Sequence, residues 1–213
     1  MVAAVTWFPD APRQPGPLAA EGDWAEAVRG RLFERRTILL RGALDDAAAT
    51  RAAAELMTLD ATGDTRVTLH IDAWGGTLEA AFTVMDVIDL LGVPVHVLCI
   101  GRADGPAAGI VAVGSGRACT PHARFRLCDA EGEMRGSAAD LARWAEHYLQ
   151  QARRFHERVG AATGRTVDDV AADCAAGRYL TAEEALAYGL VDEVASPRGS
   201  VYPLPGRSVG FQP

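Results

Sequence analysis

Lysine and asparagine are absent from the 213 residues, so all 21 basic side chains are arginine. With abundant alanine and glycine, this reads as the coding bias of GC-rich DNA and carries no mechanistic weight. Cysteine is scarce, with single residues at 99, 119, 128 and 174. No pair has Cys-x-x-Cys spacing and no histidine stands at metal-ligand spacing from them, so neither a metal nor any other cofactor is expected. A chain of this length does not depend on a disulfide framework, and the cysteines read as buried thiols of a cytoplasmic protein. Excess positive charge is missing too. The net charge is -7 and the pI about 5.2, which speaks against the basic face of a nucleic-acid binder. No uninterrupted apolar stretch reaches membrane-spanning length, and no basic region followed by an apolar run marks a signal peptide. Serine is thin: Ser115, Ser137, Ser196, Ser200 and Ser208 are the whole set, and none sits in a Gly-x-Ser-x-Gly elbow.

What is present is apolar and periodic. Hydrophobic residues make up 49% and charged residues 23%, enough for a substantial core. Residues 1–22, rich in Pro, Gly and Ala, read as a flexible arm, 23–195 as one domain, and 196–213 as a loose tail. Asp23 is the expected N-cap of a helix to Phe33. Short strands are expected at Thr37–Leu40, Val67–Ile71, Val93–Ile100, Ala123–Leu127 and Val191–Val194. Helices are expected at Asp45–Leu59, Thr77–Leu91, Gly105–Val113, 138–162 and Thr166–Ala171, with a last one capped by Thr181 and stopped by Gly189. Strands alternating with helices predict an α/β fold with a mainly parallel sheet. In the long helix Leu141, Trp144, Tyr148, Phe155 and Val159 form one apolar stripe. Core packing and contact with another subunit both account for it.

Three segments carry a family likeness. The first is Leu69-His70-Ile71-Asp72-Ala73-Trp74-Gly75-Gly76. The second is Cys99-Ile100-Gly101-Arg102-Ala103-Asp104-Gly105-Pro106-Ala107. The third is Gly177-Arg178-Tyr179-Leu180-Thr181-Ala182-Glu183-Glu184-Ala185, continuing to Tyr188-Gly189-Leu190-Val191-Asp192. Together with Thr120-Pro121-His122-Ala123-Arg124, and in this order, they resemble the Clp protease proteolytic-subunit (ClpP) family, peptidase S14. The likeness runs over roughly 30–195. It implies the crotonase-like fold of repeated strand-strand-helix units with a protruding handle helix, and heptameric rings of serine peptidases fed by a ring-shaped ATPase. The handle is then the 138–162 helix, with its stripe at an inter-ring contact.

Carried over residue by residue, the resemblance puts the nucleophile on Gly105, the histidine base on Cys128 and the orienting aspartate on Gly177. None of the three supplies the required group. The residue after the nucleophile is Pro106, which has no N–H for the oxyanion hole, while the Gly75-Gly76 turn keeps its own. Trp74 replaces a turn proline and is expected to fill the groove, bind something else or, the preferred reading, cover the void left by the missing side chains. His122 and Asp173 read as structural, Asp173 in a salt bridge or cap, and Ser137 as the handle's N-cap. The resemblance thus implies a catalytically inactive subunit that forms or regulates a Clp protease ring, as a homo-oligomer or with an active paralogue, and docks a Clp ATPase. The alternatives are a hydrolase built on Cys128 with His122 or a residue of a neighbouring subunit, a crotonase-like activity at the Gly75-Gly76 turn, and a ring that binds peptides without cutting them.

Overall fold

The computed structural model describes residues 21–130 and 135–195, with side chains from residue 26 onward. Most of the expected arm and all of the expected tail lie outside these residues. The chain opens with α1 (Glu21–Glu34), β1 (Thr37–Ala43), α2 (Asp46–Ala61), β2 (Val67–Trp74), α3 (Leu78–Leu90) and β3 (Val95–Asp104). It continues through α4 (Pro106–Ala112), β4 (Gly116–Cys119), β5 (Arg124–Arg126), α5 (Ala138–Thr163) and α6 (Val167–Ala176). It closes with β6 (Tyr179–Leu180), α7 (Ala182–Tyr188) and β7 (Glu193–Val194). This is the expected α/β architecture.

The sheet runs β1-β2-β3-β4-β7, parallel throughout that path. Strand β3 is long enough to serve two neighbours in succession. His96–Cys99 pairs with β4, and Arg102–Asp104 then pairs with β5, which in turn pairs antiparallel with β6. One face of the sheet is packed with Ile38, Leu40, Leu69, Ile71, Val95, Val97 and Cys99, all nearly or fully inaccessible. The opposite face is partly open and carries Thr68, His70, Asp72 and Trp74 on β2 and His96, Leu98, Arg102 and Asp104 on β3. Parallel strands buried on both faces read as continuous apolar runs. These alternate, because only one face meets the core.

Side-chain caps set the helix starts. Asp45, Thr77, Ser137, Thr166 and Thr181 each accept the backbone N–H three residues on. Ser137 with Asp140 and Thr181 with Glu184 are complete capping boxes. Asp23 is not a cap: α1 begins at Glu21 and runs through it. Arg117 ties the far edge together. Its guanidinium holds the Asp192 carboxylate and donates to the carbonyls of Ala162 and Gly189, both at 2.9 Å.

Candidate functional site

The site lies where β3 ends. Gly105 follows at φ +57° and ψ -124° and opens α4, with Pro106 as the first helical residue. Proline suits that place because its ring fixes a helical φ and the first turn has no intrahelical use for its N–H. The Gly105 amide donates 2.8 Å to the carbonyl of Arg126 on β5. This bond fixes the elbow against the segment that leads to Cys128. A Cβ placed on Gly105 would stand 3.2 Å from Cys128 Sγ, so positions 105 and 128 are direct neighbours. Gly177, at φ +65°, ends α6, and a Cβ there would meet Arg126 Nη2 at 3.4 Å. The three positions therefore converge around Arg126.

Beside them, the Gly75-Gly76 turn has φ of +61° and +93°. A Cβ on Gly76 would overlap the Leu44 carbonyl oxygen at 2.0 Å, so this turn fits against β1 only as glycine. Trp74 is 37% exposed, and Arg102 lies over its ring at 3.6 Å from the centroid. That ring face is thus occupied by a guanidinium.

Of the four thiols, Cys99 and Cys174 are buried and their pKa values are pushed up by burial to about 12, and that of Cys119 to about 11. They are core residues, as expected, and inert at neutral pH. Cys128 is half-buried. His122 is exposed in the turn before β5, and that strand lies between it and Cys128 in the chain. Asp173 accepts from Arg178 and from the Tyr188 hydroxyl, both at 2.9 Å, which is the salt-bridge role expected of it. Among the described residues no group of His, Cys, Asp and Glu is arranged to hold a metal ion.

Comparison with known proteins decides the family. The Clp protease family model matches residues 20–198. The chain belongs to the Clp protease family. It is 34% identical over 186 residues to the ATP-dependent Clp protease proteolytic subunit 3 of Rhodococcus jostii (strain RHA1), covering 85% of this chain and 91% of that relative. On this Clp protease frame Gly105, Cys128 and Gly177, the positions at which the resemblance led us to expect nucleophile, base and acid, lie close to one another.

The handle helix α5 behaves differently from its expected single stripe. Phe155 and Val159 are 3% and 1% exposed in the chain's own core, whereas Leu141 is 40% exposed and Trp144 and Tyr148 are half-buried. Trp144 stacks on Tyr148 at 5.4 Å, and the Tyr148 hydroxyl donates to the Ala130 carbonyl. A helix of 26 residues is about 39 Å long, and its buried residues all lie from Ala152 onward. Its C-terminal half packs and its N-terminal half projects.

Sequence reading missed two residues at the site. Asp104 and Arg126 are register partners across β3 and β5, and each has a buried polar atom, Asp104 Oδ1 and Arg126 Nε, with no hydrogen-bond partner among the described residues. Burial raises the Asp104 pKa, while Arg124, Arg102 and Arg126 oppose the rise. The signal was available as three arginines at alternate or opposite strand positions, but it emerges only once β3 and β5 are known to pair.

Proposed function

We propose that this chain is a catalytically inactive subunit of a Clp protease ring, assembling with copies of itself or with an active paralogue in the cytoplasm and docking a Clp ATPase. One juxtaposition carries the reading: the family fold surrounds a site at which the resemblance puts Gly105, Cys128 and Gly177 in the triad positions. Glycine has no atom with which to attack a carbonyl, and a thiol is a poor replacement for imidazole as a general base. Pro106 removes an oxyanion donor as well, a loss that costs about a hundredfold or more in rate by itself. The frame needed for assembly does not depend on those groups. Family members typically form rings, and the projecting half of α5 supplies apolar side chains at the place where the resemblance puts the ring contact.

The test joins turnover of a fluorogenic peptide to particle size by light scattering. A ring-sized particle with no turnover and no labelling by a serine-reactive fluorophosphonate supports the proposal. A second reading rests on the Cys128 thiol beside position 105: a cysteine hydrolase on a serine-peptidase frame. Turnover abolished by Cys128→Ala would establish it and end the first.

A further inference from the structure

We propose that Arg102, Arg124 and Arg126 form a carboxylate-binding face beside the emptied site, and that this face holds acidic segments of unfolded polypeptide without cutting them. The proposal rests on the inactive-subunit reading and names what such a subunit would grip.

The register places the three guanidiniums together. Arg102 pairs with Arg124, Asp104 with Arg126, and Arg126 with Tyr179. Their neighbours Ala103, Phe125 and Leu180 are 0%, 0% and 1% exposed, so the charged side chains share the opposite, open face. Two like charges directly across a pair of strands are destabilising. Nothing among the described residues relieves them by an ion pair. Seven other arginines do hold a carboxylate, at 3.4 Å or closer. In an acidic chain with 28 carboxylates against 21 arginines, three guanidiniums left without one at a single place need an explanation.

Aromatic rings hold them instead. Arg102 lies over Trp74 at 3.6 Å, and Arg124 and Arg126 lie over Tyr179 at 5.9 and 5.3 Å. A guanidinium resting on a ring keeps its N–H edge free, and that edge is the fork that matches a carboxylate. Asp104 stands among the three, yet its Oδ1 and the Arg126 Nε are both buried without a hydrogen-bond partner. This single carboxylate interacts with all three guanidiniums and offsets only part of their charge.

Position favours a polypeptide over a small anion. The Arg126 carbonyl fixes Gly105, and its guanidinium touches the space above Gly177, so the cationic face runs directly into the position where a bound chain would be cut. The open cleft beside Arg124 and Tyr179 is lined also by Glu183 and Glu184, so an acidic segment would lie over the three guanidiniums and not along that cleft. Trp74 and Tyr179, 37% and 57% exposed, bracket the cationic set and offer apolar contact to a bound backbone.

Fluorescence anisotropy on the full chain, with short labelled peptides identical except for Glu, Gln or Arg at alternate positions, tests this. The Glu peptide should bind about tenfold tighter than its Gln isostere, and added salt should narrow the gap. Arg102→Gln and Arg124→Gln, each checked for an unchanged thermal transition, should remove the preference; Arg124→Lys, which keeps charge but not the fork, should restore only part of it. Equal binding of the Glu and Gln peptides overturns the inference and leaves the inactive-subunit reading intact. Cleavage of the wild-type's bound peptide overturns that reading instead. No peptide binding, with assembly lost in Arg102→Gln and Arg124→Gln, also overturns the inference and gives the face to a subunit contact.

Discussion

At Gly105 the absence of a side chain is structural as well as chemical. Its φ of +57° is unfavourable for an L side chain, and a Cβ would press on Cys128 Sγ at 3.2 Å. Gly105→Ser is therefore expected to cost about 1–3 kcal/mol by backbone strain, seen as a lower denaturant midpoint. On the proposed inactive-subunit reading it should produce no peptide turnover, because on that reading Cys128 and Gly177 supply no base and no acid to orient one, and Pro106 no donor. Turnover in that single variant would show that a base exists which the residues around position 105 do not reveal. Gly109 makes the same point in the core. A Cβ there would stand 2.2 Å from the Phe155 ring, because α4 and the handle cross in close contact. Gly109→Ala should cost about 1–3 kcal/mol as overpacking, and pairing it with Phe155→Leu should recover part of the loss.

At the scale of elements, the open face explains what was readable in advance. The helices after α1 could be placed from the apolar period, with Ser137 and Thr181 as caps, because those features are local; the cap expected at Asp23 fell inside α1. Strands β1, β2 and β3 were expected to end three or four residues early, just before Arg41 and Asp72 and two residues before Arg102. Those polar residues point to the accessible face and looked like strand ends. Strand β4 was not read, since Gly116-Arg117-Ala118-Cys119 has no apolar alternation and is held by its neighbours. Its main anchor is Arg117, which joins β4 to the ends of α5 and α7 and to the loop before β7. Arg117→Met should cost about 2–3 kcal/mol, the scale of hydrogen bonds to a charged group. Arg117 also depresses the Asp192 pKa. A carboxylate whose folded pKa is depressed stabilises the fold above its unfolded value, near 3.9, and loses that contribution as pH falls through the folded value. The stability gap between wild type and Arg117→Met, measured by urea melts, should therefore be widest at neutral pH and narrow below about pH 4. A gap independent of pH would mean that the carbonyl contacts, and not Asp192, carry the effect.

For the whole molecule, folding and assembly separate along one helix. That Gly105 and Cys128 are neighbours was legible from the order of the matched segments; the division of α5 was not, because a periodic stripe looks the same whether its partner is the same chain or another. Phe155 sits in the core against α4, edge-on to Phe82 at 6.5 Å. Phe155→Ala should cost about 3–5 kcal/mol of monomer stability. Leu141 and Leu149, 40% and 67% exposed, have no such role. Replacing both by glutamine should leave the monomer's thermal transition within about 0.5 kcal/mol of wild type. If the projecting half of α5 is the ring contact, the same double variant should sediment as a smaller particle, and the shift should appear without any change in near-ultraviolet circular dichroism. An unchanged particle would move the ring contact away from this half of the handle. A variant that unfolds would show instead that Leu141 and Leu149 pack against part of their own chain, and the exposed half of the helix would then belong to folding as much as the buried half does.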